Sequence, residues 1–295
     1  MKRTSASGEL RDWGREECGP IPVHSSPVRA EERFQVDRGE PLGLWRRPEP
    51  APESHPDLRA LAFEYTSRGD RVPGRLLLPP TGDGPFPLVL LQHGNQGSKD
   101  SPYMLPVAAP WVRNGVAVAS IDFPLHGERT NAKLTELLHA ALGVAGEPTP
   151  AGEAVLREFV RQAVIDLQRA LDAAEELPGV DARRIAYAGL SLGSIVGATF
   201  CAIDPRPCAA ALALGGGGFG PPEVDPAHHV GRFAPRPILF VNASRDERVP
   251  RAAAEALYAA AGEPKEMLWF DAAHDDLPGR AFKAIWLFLQ RQLFG

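Results

Sequence analysis

The sequence predicts an α/β protein: a mostly parallel central sheet covered by helices on both faces. Two observations carry this. Short continuous apolar runs alternate with helical patterns from about residue 59 to the C-terminus, and such runs fit strands buried on both faces. The 295 residues are 44% hydrophobic, enough for one sizeable core.

Taken in order, Ala60–Ser67 and Val72–Leu78 read as a hairpin around Arg68-Gly69-Asp70. That triplet is a turn signal. Pro87–Gln92 is a buried strand, Tyr103–Arg113 a helix and Val116–Ile121 the next strand. Glu153–Glu176 is a long amphipathic helix that ends before Pro178. Arg184–Ala188 is a strand, followed by helical sequence from Leu192. Ala209–Leu214, Arg236–Asn242 and Glu266–Phe270 are later strands, with helices at Arg251–Ala261 and Arg280–Phe294. No internal repeat interrupts the pattern.

Residues 1–58 differ. They are rich in Pro, Arg and Glu, and read as an irregular N-terminal extension with one or two short helices. Trp13, Phe34, Leu42, Leu44 and Trp45 favour docking on the core over a disordered leader. The main domain is expected over 59–295. Within it, residues 130–152 form an insertion whose Leu134, Leu137, Leu138, Ala141 and Leu142 share a helical face. Two readings stand equally: a small cap over a pocket, or a helix packed on the domain.

The formal net charge is −5, and no basic patch or charge block recommends nucleic acid or an anionic membrane. The first residues lack the apolar core of a signal peptide, and no membrane span is read, so the expectation is a soluble cytoplasmic protein. Cys18, Cys201 and Cys208 form a sparse, odd set, read as reduced thiols.

Gly189-Leu190-Ser191-Leu192-Gly193 carries the chemistry. A strand precedes it and a small-residue helix follows, the layout of a nucleophile elbow. The turn exposes the Ser191 hydroxyl, and the Leu192 amide sits at a helix N-terminus, where it can donate to an oxyanion. Ser191 needs a base, and the base an orienting carboxylate. Asp246 follows the Arg236–Asn242 strand, and His274 lies between the last strand and the last helix. Asp271, Asp275 and Asp276 are rival acids, but they stand too close to His274 in sequence. The loop His93-Gly94-Asn95 follows the first buried central strand and offers the Asn95 amide as second oxyanion donor. The glycine run 215–218 comes after the elbow and is read as a flexible loop bordering the site, with Phe219 as a wall. Asp225, His228 and His229 lack a convincing ligand set, so no metal is expected.

On these residues the chain resembles the α/β-hydrolase superfamily, within it the dienelactone hydrolase-like and acetyl xylan esterase-like serine esterases. The matching positions are His93-Gly94-Asn95, the run from Asp122 to Arg129, the elbow, Asp246 and His274, spread over roughly residues 60–295. The resemblance implies cleavage of small-molecule carboxylic esters through an acyl-enzyme intermediate, without a cofactor. A true dienelactone hydrolase carries a cysteine nucleophile; serine at 191 points to an ordinary ester hydrolase. Amide or C–C bond hydrolysis, or acyl transfer, are alternatives on the same triad. A non-catalytic binding protein would have lost a triad member, and none is lost. Arg129 reads as a structural ion pair or a substrate-carboxylate binder, and His126 as a loop hydrogen-bonder.

Overall fold

The computed structural model describes residues 32–143 and 146–295. Trp13 and Cys18 lie outside the described residues.

Nine strands form one sheet in the order β1-β2-β3-β5-β4-β6-β7-β8-β9. They are β1 (Trp45–Glu49), β2 (Arg59–Ser67), β3 (Asp70–Leu78), β4 (Phe86–Gln92), β5 (Ala117–Ile121), β6 (Val180–Leu190), β7 (Pro207–Ala213), β8 (Ile238–Ala243) and β9 (Lys265–Phe270). From β5 to β9 all neighbours are parallel, while β1, β2 and β3 form an antiparallel flank that joins at β5. The longer helices are α1 (Met104–Arg113), α2 (Ala132–Ala141), α3 (Pro150–Ala174), α4 (Leu192–Ile203), α5 (Arg251–Ala260) and α6 (Gly279–Phe294).

The apolar runs are continuous because both sheet faces are covered. In β4, Leu88 and Leu90 pack with Phe159, Val164 and Val196 of α3 and α4. Their neighbours Val89 and Leu91 face the other way, onto Val112 of α1 and Phe288 of α6. The β2–β3 hairpin closes through Arg68 and Gly69, both at positive φ, with Ser67 paired to Asp70. Two such residues give the turn that matches strand twist.

Residues 45–49 correct the reading of the N-terminal segment as irregular. They are β1, paired antiparallel with β2 from Trp45 opposite Glu64 to Glu49 opposite Ala60. Four of its five residues are exposed, so no apolar alternation announces it, and Pro48 is tolerated because the strand is an edge. Trp45 is exposed and anchors nothing, whereas Phe34 is fully buried in the core, edge-on to the His229 ring. Helix α3 begins three residues before the expected Glu153, with Thr149 capping the Gly152 amide and Pro150 opening the first turn. Cys201 and Cys208 are both free. No helix of the described residues is long and apolar enough to cross a membrane.

Candidate active site

The parallel strands end on one side, and the loops beyond β4, β6, β8 and β9 converge there. Ser191 links β6 to α4 at φ 53°, ψ −112°. This is a strained conformation for a residue with a Cβ. The flanking glycines are required by close approach. A Cβ at Gly189 would stand 2.4 Å from the Gly193 carbonyl oxygen, and one at Gly193 2.6 Å from that of Gln92. The strand–turn–helix is thus packed backbone against backbone, and Tyr187 locks it with a 2.6 Å hydrogen bond to the Gly193 carbonyl.

His274 stands in the loop between β9 and α6. Its Nε2 lies 2.9 Å from Ser191 Oγ, and its Nδ1 2.7 Å from Asp246 Oδ2. The other Asp246 oxygen accepts from the Arg248 and Val249 amides, each at 2.9 Å. Both side chains are buried. The carboxylate therefore caps its own loop with one oxygen and faces the imidazole with the other. Of the three rival acids, Asp271 pairs with Arg245 and Asp275 with Arg248, all four at the surface, and Asp276 is exposed.

The β4 loop brings Asn95 to the same cavity as Ser191 and Leu192. Among the described residues, neither the Asn95 nor the Leu192 amide donates to a protein acceptor. Their positions beside the serine leave both free for an incoming oxygen. The loop is held rigidly. Tyr103 accepts from the Gly94 amide at 3.0 Å, and His126 Nε2 lies 3.1 Å from the Asn95 carboxamide.

His93 ties this loop to the next one. Its Nε2 accepts from the Phe123 amide at 3.2 Å, and its Nδ1 meets the Gly94 carbonyl at 2.8 Å. An Nε2 that accepts an amide proton requires the neutral ring, protonated at Nδ1. Burial pushes the imidazole down to about 3 from its ordinary 6.5. The unfolded chain therefore binds a proton between those limits that the folded chain refuses. Stability from this group is complete above pH 6.5 and is lost as the pH falls toward 3, by roughly 1.4 kcal/mol per pH unit. Burial lowers His126 and His229 in the same sense. In urea unfolding at pH 7, 5 and 4, His93→Gln is expected to lose stability less steeply than the wild type. Parallel slopes would contradict the assignment.

Asp122, fully buried just beyond β5, fixes the far end of the loop that follows β4. It accepts from the Lys99 and Glu128 amides at 2.8 and 3.0 Å, and its carboxylate lies 3.3 Å from Lys99 Nζ. Burial alone would lower the Lys99 ammonium, but Glu128 and Asp122 raise it above the ordinary range. Asp122→Ala strands two backbone amides and is expected to cost about 3 kcal/mol, since Glu128 and Asp100 still neutralise the lysine. An unchanged urea midpoint would refute this.

Arg129 settles into a structural role. It binds fully buried Asp166 and exposed Asp70, each at 2.6 Å, and lies away from the cavity. The glycine run proves pinned, a correction to the flexible loop expected. The Gly217 amide donates to the Ala253 carbonyl, the Gly218 amide to Asp225, and a Cβ at Gly216 would collide with α5. Asp225 thereby caps this loop. Among the described residues no group of three or more His, Cys, Asp or Glu is placed to hold a metal.

The cavity over Ser191 has a volume of about 1140 Å³. Phe219 forms part of its wall as expected. Leu142, from the 130–152 insertion, reaches it too, while Leu138 packs into the core. Sequence reading missed the wall made by Pro106, Val107, Pro110 and Trp111 of α1 with Phe282 and Trp286 of α6. These residues sit on amphipathic helices and carry the same signal as core positions.

An α/β-hydrolase sheet with a serine elbow at its strand ends defines the class. The model of the acetyl xylan esterase (AXE1) family matches residues 52–214. The chain belongs to that family and is a carboxylic ester hydrolase. No curated protein matches the sequence. Among solved structures, it is similar to a cold-adapted esterase from an Arctic intertidal metagenomic library. That likeness is 25% identity over 84% of this chain and 97% of that one, at a TM-score of 0.64. The acetyl xylan esterase from Paenibacillus sp. R4 shares the fold at 20% identity, 90% and 93% coverage and a TM-score of 0.68. Acetyl xylan esterase 1 from Thermoanaerobacterium sp. JW/SL YS485 does so at 16% identity, 91% and 92% coverage and a TM-score of 0.66.

Proposed function

We propose that the protein is a serine esterase that works through an acyl-enzyme, with Ser191 as nucleophile, His274 as base and Asp246 as its orienting acid. The observation that carries this is the unbroken chain of contacts from Ser191 Oγ through the imidazole to the Asp246 carboxylate, at 2.9 and 2.7 Å. His274 Nε2 takes the Ser191 proton as Oγ attacks the ester carbonyl. The Asn95 and Leu192 amides hold the oxyanion of the tetrahedral intermediate. As that intermediate collapses, the proton passes from His274 to the departing alcohol. Water then attacks the acyl-serine, giving its proton to His274, which returns it to Ser191 as the acid leaves. No cofactor enters this sequence.

Residues 130–152 act in this reading as a small cap, through Leu142, on a hydrolase domain that runs to residue 295. The site of action is taken as the cytoplasm. A fluorophosphonate is expected to inactivate the enzyme and to be recovered on the peptide that holds Ser191. The His274→Ala variant should label far more slowly, because the hydroxyl has lost its base. Label on another residue, or equal labelling of the variant, would overturn the assignment.

A further inference from the structure

We infer that the ester taken by this site carries a large apolar arm, an aliphatic chain of about eight carbons or an aromatic group of similar size, seated between α1 and α6. The inference rests on the serine esterase reading and adds the substrate class.

Size is the first argument. An acetyl group needs about the room of two waters, roughly 60 Å³. The cavity of about 1140 Å³ is far larger. Pockets of roughly 300–1,000 Å³ hold ligands of drug size. Chemistry is the second. A sugar ring brings hydroxyls that lose water on entry and need acceptors and donors in return. The wall between α1 and α6 is built of Pro106, Val107, Pro110, Trp111, Phe282 and Trp286. Its charged group, Lys283, is exposed. The two tryptophans are not open platforms for a sugar face either. They stack on each other, ring centres 6.3 Å apart and 18° from parallel, and both are buried. The opposite side adds Leu142 and Phe219. Of the carboxylates and amides that could grip hydroxyls, Asp275 is paired with Arg248 and the Asn95 carboxamide is held by His126, which leaves the exposed Gln96 carboxamide. An apolar arm would exchange water for this wall at a gain of up to roughly threefold to fourfold per buried methylene.

The test measures kcat/KM on two series and one sugar. The first series is nitrophenyl esters from acetate to decanoate. The second is acetates of ethanol, hexanol and octanol. The sugar is xylose tetraacetate. At least one series is expected to rise about tenfold or more from two carbons to eight, above the value for the acetylated sugar. A rise in the acyl series assigns the wall to the acid; a rise in the alcohol series assigns it to the alcohol. Phe282→Asp should then lower the eight-carbon to two-carbon ratio by about tenfold, and Phe282→Leu should preserve it. Should Phe282→Asp fail to fold, inhibition of the wild type by alkylboronic acids replaces it, with tighter binding expected as the chain lengthens. Both series falling from two carbons upward, or xylose tetraacetate turning over fastest, would overturn the inference. Ser191-dependent turnover of nitrophenyl acetate would leave the esterase reading intact in that case. Its absence would sink the esterase reading instead.

Discussion

Ser191→Ala is expected to lower kcat for nitrophenyl acetate by about 10⁶ while the protein stays folded. Losses of that order follow removal of a triad serine, because base and acid then have nothing to activate. Some rate above water should survive, since the Asn95 and Leu192 amides still face the carbonyl oxygen. The alanine keeps a Cβ at φ 53°, so it retains the backbone strain of the elbow. Ser191→Gly removes that strain and is expected to unfold later, by about 1 kcal/mol after the glycine's own entropy cost. Activity and stability thus move in opposite directions at one position. Loss of both would mean that the hydroxyl holds the elbow together and that the activity measurement reported folding.

Asp246→Asn should cost about 10⁴ in kcat with little change in KM. The reason lies in how the side chain is held. One Asp246 oxygen already accepts two backbone amides, from Arg248 and Val249. An asparagine must keep its only oxygen there and so turns its NH₂ toward His274 Nδ1. The imidazole then accepts at Nδ1 and carries its proton on Nε2, the atom that faces Ser191 at 2.9 Å. With its proton on Nε2 the ring presents no lone pair to Ser191 and cannot take the serine proton, and the tautomer that could would set Nδ1–H against the asparagine NH₂. Steady-state kinetics on nitrophenyl acetate reads this directly. A loss below about tenfold would remove Asp246 from the proposed machinery.

Much of this was legible in the sequence, for identifiable physical reasons. A strand buried on both faces must be apolar throughout, so β4, β5 and β7 stood out as short unbroken runs. The elbow was legible because backbone contact at Gly189 and Gly193 excludes every side chain there. Ser191, Asp246 and His274 could be picked because each follows a parallel strand, and those strand ends share one side of the sheet. Strand β1 was hidden, since an edge strand needs only backbone pairing and its residues face water. The hold of Asp122 on Lys99 joins residues 23 apart, and no local pattern encodes such a bond. The cavity wall escaped for a related reason. Trp111 and Trp286 read as core residues, and only the packing of α1 against α6 sets them beside the serine.

The most direct test of the central claim is capture of the acyl-enzyme. The wild-type protein would be mixed with excess nitrophenyl acetate, quenched in acid within the first turnovers, digested, and its peptides weighed. One acetyl group is expected on the peptide that contains Ser191, formed with a stoichiometric burst of nitrophenol and absent from Ser191→Ala. Turnover at the wild-type rate with no acylated peptide and no burst, or acetyl on a different residue, would contradict it.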